Sequence, residues 1–145
     1  MKLKTLIDPS LSEDEVVIYA RARTPAIAEL ESRIDSFGEA LIGYDERGEA
    51  IPVAAFEVSA FSVDDGRLYA ITERGRLRLR ERLHTVESRL GSEFMRINQS
   101  CIVRVAAISR FYASVGGALC VELKCGYSDY ISRRQVRAVK ERMGI

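Results

Sequence analysis

The stretch that decides the fold is FMRINQSCIV, residues 94–103, in which two polar side chains, Asn98 and Gln99, separate two mostly apolar segments. Apolar and β-branched residues continue from position 101 to position 108, which is typical of a strand. A second stretch, YISRR at residues 130–134, follows after a spacer and leads into a pattern typical of a helix. Each stretch therefore places polar side chains at the boundary of a regular element.

The residues around these stretches are rich in strand and turn signals. Residues 56–63 alternate in side-chain character up to an Asp-Asp-Gly sequence at 64–66, which predicts a tight turn, and residues 68–72 predict the returning strand. Further strands are predicted at residues 40–44, 50–54, 76–80, 111–115, 119–124 and 127–131. The sequence thus predicts an α+β protein in which antiparallel strands dominate.

Helices are marked mainly by their ends. Thr24 and Pro25 predict the N-cap and first residue of a helix that ends before Gly38. Residues 82–90 predict a short amphipathic helix, and a capping-box pattern that begins at Ser132 predicts the start of a last helix, which runs almost to residue 145. Helices are therefore expected before, within and after the strands.

The first part of the chain has its own pattern. Residues 1–7 alternate loosely, and VVIY at residues 16–19 is β-branched and aromatic, so both segments predict strands. Together with the first helix they predict an N-terminal strand-helix-strand unit over residues 1–50. The remaining residues, 51–145, then form a second, β-rich domain.

Charge is distributed unevenly between these two parts. The whole chain has 22 basic and 21 acidic side chains and a formal net charge of +1. Residues 1–50 hold 6 basic and 11 acidic side chains, a balance of −5, whereas residues 51–145 hold 16 and 10, a balance of +6. A basic part attached to an acidic part suggests that the basic part meets a polyanion.

The composition argues against an enzyme and against a metal site. The three cysteines, Cys101, Cys120 and Cys125, have no CxxC spacing, and His84 is the single histidine, so a zinc site cannot be assembled by the usual rules. We expect reduced, half-buried thiols. There is no GxSxG and no Gly-rich phosphate loop. No apolar run is long enough to span a bilayer, and residues 1–7 lack a signal-peptide core, so a cytoplasmic location is expected.

The stretches at 94–103 and 130–134 resemble the signature of the LytTR family of DNA-binding domains. In that family an aromatic-x-Arg, two polar residues and Ser precede an apolar strand, and an apolar-Ser-Arg element begins the final helix. The preceding strand and turn at 58–66 and the short helix at 82–90 also match the family's order of parts, so the resemblance covers about residues 52–145. The N-terminal part is similar to stand-alone LytTR regulators that have a strand and helix in place of a receiver domain. A receiver domain is excluded here because some 50 residues cannot hold its five βα units.

The resemblance implies an elongated, mostly antiparallel β domain with a C-terminal helix that binds duplex promoter DNA through loops. It implies no cofactor and no small-molecule substrate. LytTR domains often occupy paired direct repeats, which implies a homodimer or two copies on one operator, and stand-alone members are often accompanied by a small membrane protein that restrains them. The alternative is a protein-interaction module whose basic face meets an acidic protein or a membrane surface.

Three residues are candidates for reading bases. The amides of Asn98 and Gln99 can pair bidentately with an adenine edge, and Arg134 can address guanine O6 and N7 or a phosphate. Asn98 and Gln99 can also be explained as turn formers alone. The neighbouring Arg96 is interpreted as structural, with its guanidinium paired to a carboxylate.

Other residues are candidates for holding the DNA backbone. Ser132 can contribute through the exposed N–H groups at the start of the last helix. Arg67 follows the Asp-Asp-Gly turn, which by position matches another DNA-facing loop of the family, and Arg133, Arg137 and Lys140 lie off the apolar face of the last helix. These five are expected to contact phosphates.

Overall fold

The computed structural model describes residues 1–35, 37 and 40–145. Its α-helices are α1 (Pro25–Asp35), α2 (Leu83–Glu87) and α3 (Arg133–Met143). Two short 3₁₀ turns lie at Ala55–Glu57 and Val105–Ala107. Among the described residues, no helix has both the length and the apolar character needed to cross a membrane.

The strands of the described residues form two antiparallel sheets, so the predicted α+β, mostly antiparallel fold is confirmed. They are β1 (Ala40–Tyr44), β2 (Ala50–Ala54), β3 (Val58–Asp64), β4 (Arg67–Thr72), β5 (Gly75–Leu79), β6 (Phe94–Asn98), β7 (Cys101–Arg104), β8 (Ile108–Ala113), β9 (Leu119–Leu123) and β10 (Ser128–Tyr130). The large sheet has the order β2-β1-β5-β4-β3-β7-β6, and the small sheet has the order β10-β9-β8. Because β1 pairs with both β2 and β5, one sheet runs across residue 50.

The long strand predicted from residue 101 to residue 108 is wrong in one respect. Strand β7 ends at Arg104, the 3₁₀ turn at Val105–Ala107 follows, and β8 begins at Ile108 in the other sheet. The Ala107 carbonyl oxygen accepts a hydrogen bond from Lys124 N at 2.8 Å, beyond the end of β9. The β-branched run therefore serves two sheets, and the turn inside it carries the chain from one to the other.

The core is divided into two clusters by the strands that lie between the layers. In β3, Phe61 belongs to the cluster that α2 covers, whereas its neighbour Ala60 belongs to the cluster shared with β9 and α3. In β7, Ile102 and Val103 divide in the same way, because successive side chains of a strand point to opposite faces. From α3, Val139 is fully buried in the second cluster. The small sheet and α3 are thus packed against the large sheet, which fixes the loops between them.

The start of α3 lies where the sequence places it, but the predicted capping box is wrong. Ser132 makes no side-chain cap hydrogen bond. In a capping box the third helical residue accepts from the N-cap N–H. Here the Ser132 N–H instead donates to the Ile97 carbonyl oxygen at 2.9 Å, so Gln135 has no donor to accept from. The helix ends at Gly144, whose φ of 71° is left-handed.

The two strands predicted in the first 19 residues are wrong for the single chain. Residues 1–7 and 16–19 form neither strand nor helix, because no neighbouring strand pairs with their backbone among the described residues. Helix α1 begins as predicted, with the Thr24 hydroxyl oxygen accepting a hydrogen bond from Ile27 N at 3.3 Å. The predicted end of this helix at Gly38 lies outside the described residues.

Candidate nucleic-acid interface

The turn between β6 and β7 lies beside the end of β3. Asn98 pairs across the turn with Cys101, which leaves Gln99 and Ser100 at its tip. The Ser100 carbonyl oxygen accepts a hydrogen bond from Val63 N at 2.8 Å. The β6–β7 turn and the turn after β3 therefore open at the same end of the large sheet.

The start of α3 lies at this end as well. The hydrogen bond from Ser132 N to the Ile97 carbonyl oxygen, 2.9 Å long, ties the first residues of the helix to the last residues of β6. Residues 64–67, 98–100 and 130–134 thus meet along one margin of the molecule, which we call the loop edge. The sequence stretches that carried the family resemblance are brought together here.

Asn98 is buried at the centre of the loop edge. Its side chain is 1% exposed. The amide Nδ2 donates to the Tyr130 carbonyl oxygen at 2.8 Å, and Oδ1 accepts from Ser100 N at 2.8 Å. The structure therefore uses the amide inside the fold, where it joins the β6–β7 turn to the segment before α3.

Arg96 holds the same turn from the other side. Its Nε donates to the Asn98 carbonyl oxygen at 2.9 Å, and Nη2 donates to the Gln99 carbonyl oxygen at 2.7 Å. Its Nη1 lies 3.1 Å from Glu87 Oε1, so the predicted pairing with a carboxylate is confirmed. With both carbonyl groups of the turn occupied, the backbone around Gln99 is fixed.

The side chains at the outer surface of the loop edge have no such partners. Gln99, Arg133 and Arg134 are exposed, and they make no side-chain hydrogen bond or ion pair with another described residue. Because Ser132 provides no side-chain cap, the N–H groups of Arg133 and Arg134 at the start of α3 have no partner among the described residues and stay open to a ligand. An amide, two guanidinium groups and a helix N-terminus thus face solvent side by side.

The β3–β4 turn has the predicted tight geometry. Asp65 and Gly66 have φ values of 51° and 72°, the pattern of a two-residue hairpin turn. The turn holds two carboxylates, which would repel phosphate, and that of Asp64 is paired with Arg76, with Oδ2 3.0 Å from Nη1. Arg67 stands across the turn from Asp64 and is exposed. The turn therefore presents the Arg67 cation and the carboxylate of Asp65, which has no partner among the described residues.

The outer face of α3 continues the basic surface away from the loop edge. Arg137 is exposed, and its Nε lies 3.2 Å from Glu141 Oε1, so its charge is partly compensated. Lys140 is exposed and forms no ion pair with another described residue. Arg142 instead turns inward, where its Nη1 donates to the Phe94 carbonyl oxygen at 3.1 Å. Of these two outer cations, Arg137 is therefore paired, whereas Lys140 has no carboxylate partner among the described residues.

A polar cluster beneath the loop edge is absent from the sequence predictions. The Tyr127 hydroxyl lies 2.7 Å from Ser62 Oγ and 3.0 Å from Asp129 Oδ2, so it joins β3 to the segment around β10. Burial raises the pKa of this hydroxyl, which stays neutral. Tyr127 and Asp129 are two residues apart in a predicted strand and therefore share one face, so their contact could have been predicted from the sequence. The contact with Ser62 could not have been predicted, because this residue lies 65 positions away in the sequence.

The comparisons with known proteins agree with this geometry. The structure is similar to a solved LytTr DNA-binding domain from Bacillus cereus, with a TM-score of 0.66 and 20% sequence identity, over 74% of this chain and 100% of that chain. This likeness shows that the two chains share a β-rich, mostly antiparallel fold. Residues 48–144 match the family model described as the LytTr DNA-binding domain. Because this match covers more than half of the chain, the chain belongs to the LytTr DNA-binding domain family, as the sequence resemblance predicted.

Relatives extend over the whole chain. Two proteins of Staphylococcus aureus, from strains bovine RF122 / ET3-1 and NCTC 8325 / PS 47, are each 27% identical over 147 residues, which cover 100% of this chain and 99% of the relative. Both are described as uncharacterized HTH-type transcriptional regulators. In the part of this chain that the structure describes, strands separate each α-helix from the next, so no two α-helices follow each other directly as they do in a helix-turn-helix.

Proposed function

We propose that this protein is a transcription regulator of the bacterial cytoplasm that binds promoter DNA through the loop edge, and that it is not an enzyme. The observation that carries the proposal is the position of Gln99 and Arg134. Gln99 comes from the β6–β7 turn and Arg134 from the start of α3. Two hydrogen bonds tie these segments together, Asn98 Nδ2 to the Tyr130 carbonyl oxygen at 2.8 Å and Ser132 N to the Ile97 carbonyl oxygen at 2.9 Å. A fixed pair of bidentate side chains on one margin suits a groove of duplex DNA.

Base reading is assigned to these two residues. The Gln99 amide can donate to and accept from an adenine edge, and the Arg134 guanidinium can donate to O6 and N7 of a guanine. Asn98 was the third candidate, but its amide is already engaged with Tyr130 and Ser100. We therefore assign Asn98 the role of positioning Gln99, without contact to a base.

Phosphate contacts are assigned to the cations around the loop edge. Arg133 and the open N–H groups after Ser132 lie next to Arg134, and Arg67 extends the surface on the other side. Lys140 continues it along α3, since its ammonium group has no carboxylate partner among the described residues. Arg137 belongs to the same surface, but its pairing with Glu141 reduces its share. Such contacts hold the protein on any duplex and carry no sequence information.

The DNA-binding unit is assigned to residues 51–145. Strand β1 of the first unit joins its large sheet by pairing with β2 and β5, whereas residues 1–35 lie outside that sheet. Two copies would bind paired direct repeats, either as a homodimer or as two chains on one operator. A small membrane protein that restrains the regulator is a further partner consistent with the family. Residues 1–50 carry the acidic excess, so they are better suited to protein contacts than to DNA.

The test begins with in vitro selection of bound duplexes from a random pool at a stated salt concentration. The affinity of each variant is then measured for the selected operator and for a scrambled duplex. We expect Gln99→Ala to lose roughly 1 to 3 kcal/mol on the operator alone, because it removes a bidentate contact and no charge. Equal losses on both duplexes would make Gln99 a backbone contact, and no loss on either would move the interface elsewhere.

A matched pair of variants tests Arg134. Arg134→Ala and Arg78→Ala each remove one exposed cation, but Arg78 lies in β5, three strands away from β7 in the large sheet. We expect Arg134→Ala to weaken operator binding and to lower the log–log salt slope by about one unit. Arg78→Ala should leave both unchanged. If no sequence were enriched from the pool and both variants behaved alike, specific binding through the loop edge would be refuted.

A further inference from the structure

The first 19 residues expose an unusual amount of apolar surface. Leu3 and Tyr19 are each 95% exposed. Eight large apolar side chains in this segment are at least 47% exposed: Met1, Leu3, Leu6, Ile7, Leu11, Val16, Val17 and Tyr19. A monomeric soluble protein rarely leaves so many large apolar groups in one segment, and such a patch marks an interaction surface.

The backbone of the same segment is unpaired. The chain reverses at a turn in which the Asp8 carbonyl oxygen accepts from Leu11 N at 3.3 Å, and Asp8 Oδ1 accepts from Ser10 N at 3.0 Å. On either side of this turn, residues 1–7 and 12–23 make no backbone hydrogen bond to another described residue. Strand-forming sequence with free N–H and C=O groups is a template for pairing with another chain.

We propose that residues 1–19 of two copies pair to form a shared sheet, so that this segment is the interface of a homodimer. The two strands that the sequence predicts at residues 1–7 and 16–19, and that the single chain does not form, are then completed by the partner. The inference deepens the homodimer of the proposed function and rests on that part of it. It concerns no DNA contact, so it can be tested in the absence of DNA.

Charge favours a second copy over other occupants. Lys2 and Lys4 precede the turn at Asp8, whereas Glu13, Asp14 and Glu15 follow it. In a twofold interface the basic arm of each copy can lie against the acidic arm of the other, which makes the segment self-complementary. The three consecutive carboxylates would repel the negative surface of a lipid bilayer and of a nucleic acid.

The area is sufficient for a stable dimer. Eight large side chains exposed to this degree offer on the order of 1,000 Å² per copy, compared with the roughly 800 Å² that each partner buries in a standard interface. An isolated two-stranded hairpin is marginal in water, but four strands with a shared apolar face can be stable. Pairing between copies therefore accounts for both the unpaired backbone and the exposed side chains.

The test is sedimentation velocity on the full chain over a range of concentrations, without DNA. We expect the wild type to form a dimer and Val17→Asp to raise the dimer dissociation constant by about 100-fold, because the twofold axis places two new carboxylates in one apolar interface. The matched control is Val115→Asp, since Val115 is fully exposed in the turn between β8 and β9. This variant should dimerise like the wild type.

Hydrogen exchange locates the interface. In the wild-type dimer the amides of residues 2–7 and 16–19 should exchange at least tenfold more slowly than in Val17→Asp, because strand pairing protects them. A wild type that stays monomeric, or a dimer whose N-terminal amides exchange freely, would overturn the proposal. It would equally be overturned by a monomer that binds phosphatidylcholine vesicles through Val17, since the occupant would then be a bilayer. None of these outcomes depends on whether the protein binds DNA.

Discussion

The side-chain amide nitrogen of Asn98 donates a hydrogen bond of 2.8 Å to the carbonyl oxygen of Tyr130, 32 residues further along the chain. This bond joins the turn that presents Gln99 to the segment that leads to Arg134. The Asn98 end of the contact is buried, so its amide cannot exchange this partner for solvent without a cost in free energy. The spacing of the two proposed base readers thus depends on a residue that itself touches no DNA.

Replacing Asn98 should therefore affect stability and specificity together. Asn98→Ala leaves the Tyr130 carbonyl oxygen and Ser100 N without their partners, and we expect a loss of roughly 1 to 3 kcal/mol in the free energy of unfolding, measured with urea. In the folded variant, the preference for operator over scrambled duplex should fall. The control is Ser114→Ala, which removes an exposed hydrogen bond from Ala118 N and should cost less than about 0.5 kcal/mol. Equal losses in the two variants would contradict a positioning role for Asn98.

The fate of Asn98 shows where local sequence patterns stop being informative. The pattern at residues 94–103 predicts a polar pair between two segments, and that is what the structure contains. It does not distinguish the residue that points outward, Gln99, from the one that points inward, because the partner that draws Asn98 inward is the distant Tyr130. The β3–β4 turn could be predicted fully, since an Asp-Gly pair between alternating strands specifies its own geometry.

The N-terminal segment shows the same limit for strands. Residues 16–19 have the composition of a strand, but a strand also needs a neighbour, which is not encoded in its own residues. The 3₁₀ turn at Val105–Ala107 is a further example, because the run around it stays β-branched while the chain changes sheets. In each case the composition predicts the preference of a segment, and long-range pairing decides the outcome.

The β3–β4 turn provides a prediction about backbone conformation. Gly66 has a φ of +72°, and a Cβ added there would meet no atom within 4 Å, so a side chain would be opposed by the backbone alone. We expect Gly66→Ala to lower the free energy of unfolding by roughly 1 to 2 kcal/mol. Gly116→Ala is the control, because its nearest neighbour would be Ser114 Oγ at 4.0 Å and its φ is not left-handed. Urea unfolding should show this variant unchanged or slightly more stable, and a similar loss at both glycines would refute the argument.

The cysteines should differ sharply in reactivity. Cys101 and Cys120 are buried, whereas Cys125 is exposed in the turn after β9. Burial also raises the pKa of the Cys101 thiol, which keeps it protonated and unreactive. We expect iodoacetamide at pH 8 to modify Cys125 alone in the folded protein and all three thiols in urea, as counted by mass spectrometry. Rapid modification of Cys101 without denaturant would contradict the packing described for β7.

Cys125 can therefore be removed without consequence for the fold. Cys125→Ser should show no alkylation in the native protein and should bind the selected operator as the wild type does, since no metal or disulfide is lost. Loss of operator binding by this variant while it remains folded would show that the thiol takes part in the interface.

Glu93 is a buried acid that immediately precedes β6, at the opposite end of this strand from the loop edge. Its side chain is 3% exposed, and neither carboxylate oxygen has a hydrogen-bond partner among the described residues. The nearest cation is Arg33 in α1, whose Nε lies 3.9 Å from Oε2. Burial raises the pKa of Glu93, and the attraction of Arg33 and Arg104 lowers it by less. The ionised carboxylate is therefore less favourable in the folded chain than in the unfolded chain.

The sign of the pH dependence follows from this raised pKa. A carboxyl group whose pKa is higher in the folded state contributes stability at low pH, and this contribution is lost as the pH rises through the folded-state value. Glu93→Gln keeps the shape and removes the charge, so we expect it to be more stable than the wild type at pH 7 to 8, with the difference shrinking toward pH 4, where the wild-type group is mostly protonated in both states. Urea unfolding across this range measures the effect, with the exposed Glu73→Gln as a control that should show none. If Glu93→Gln were less stable than the wild type at pH 7, the attraction to Arg33 would outweigh the burial of the charge, and α1 would be held to the β domain by that ion pair.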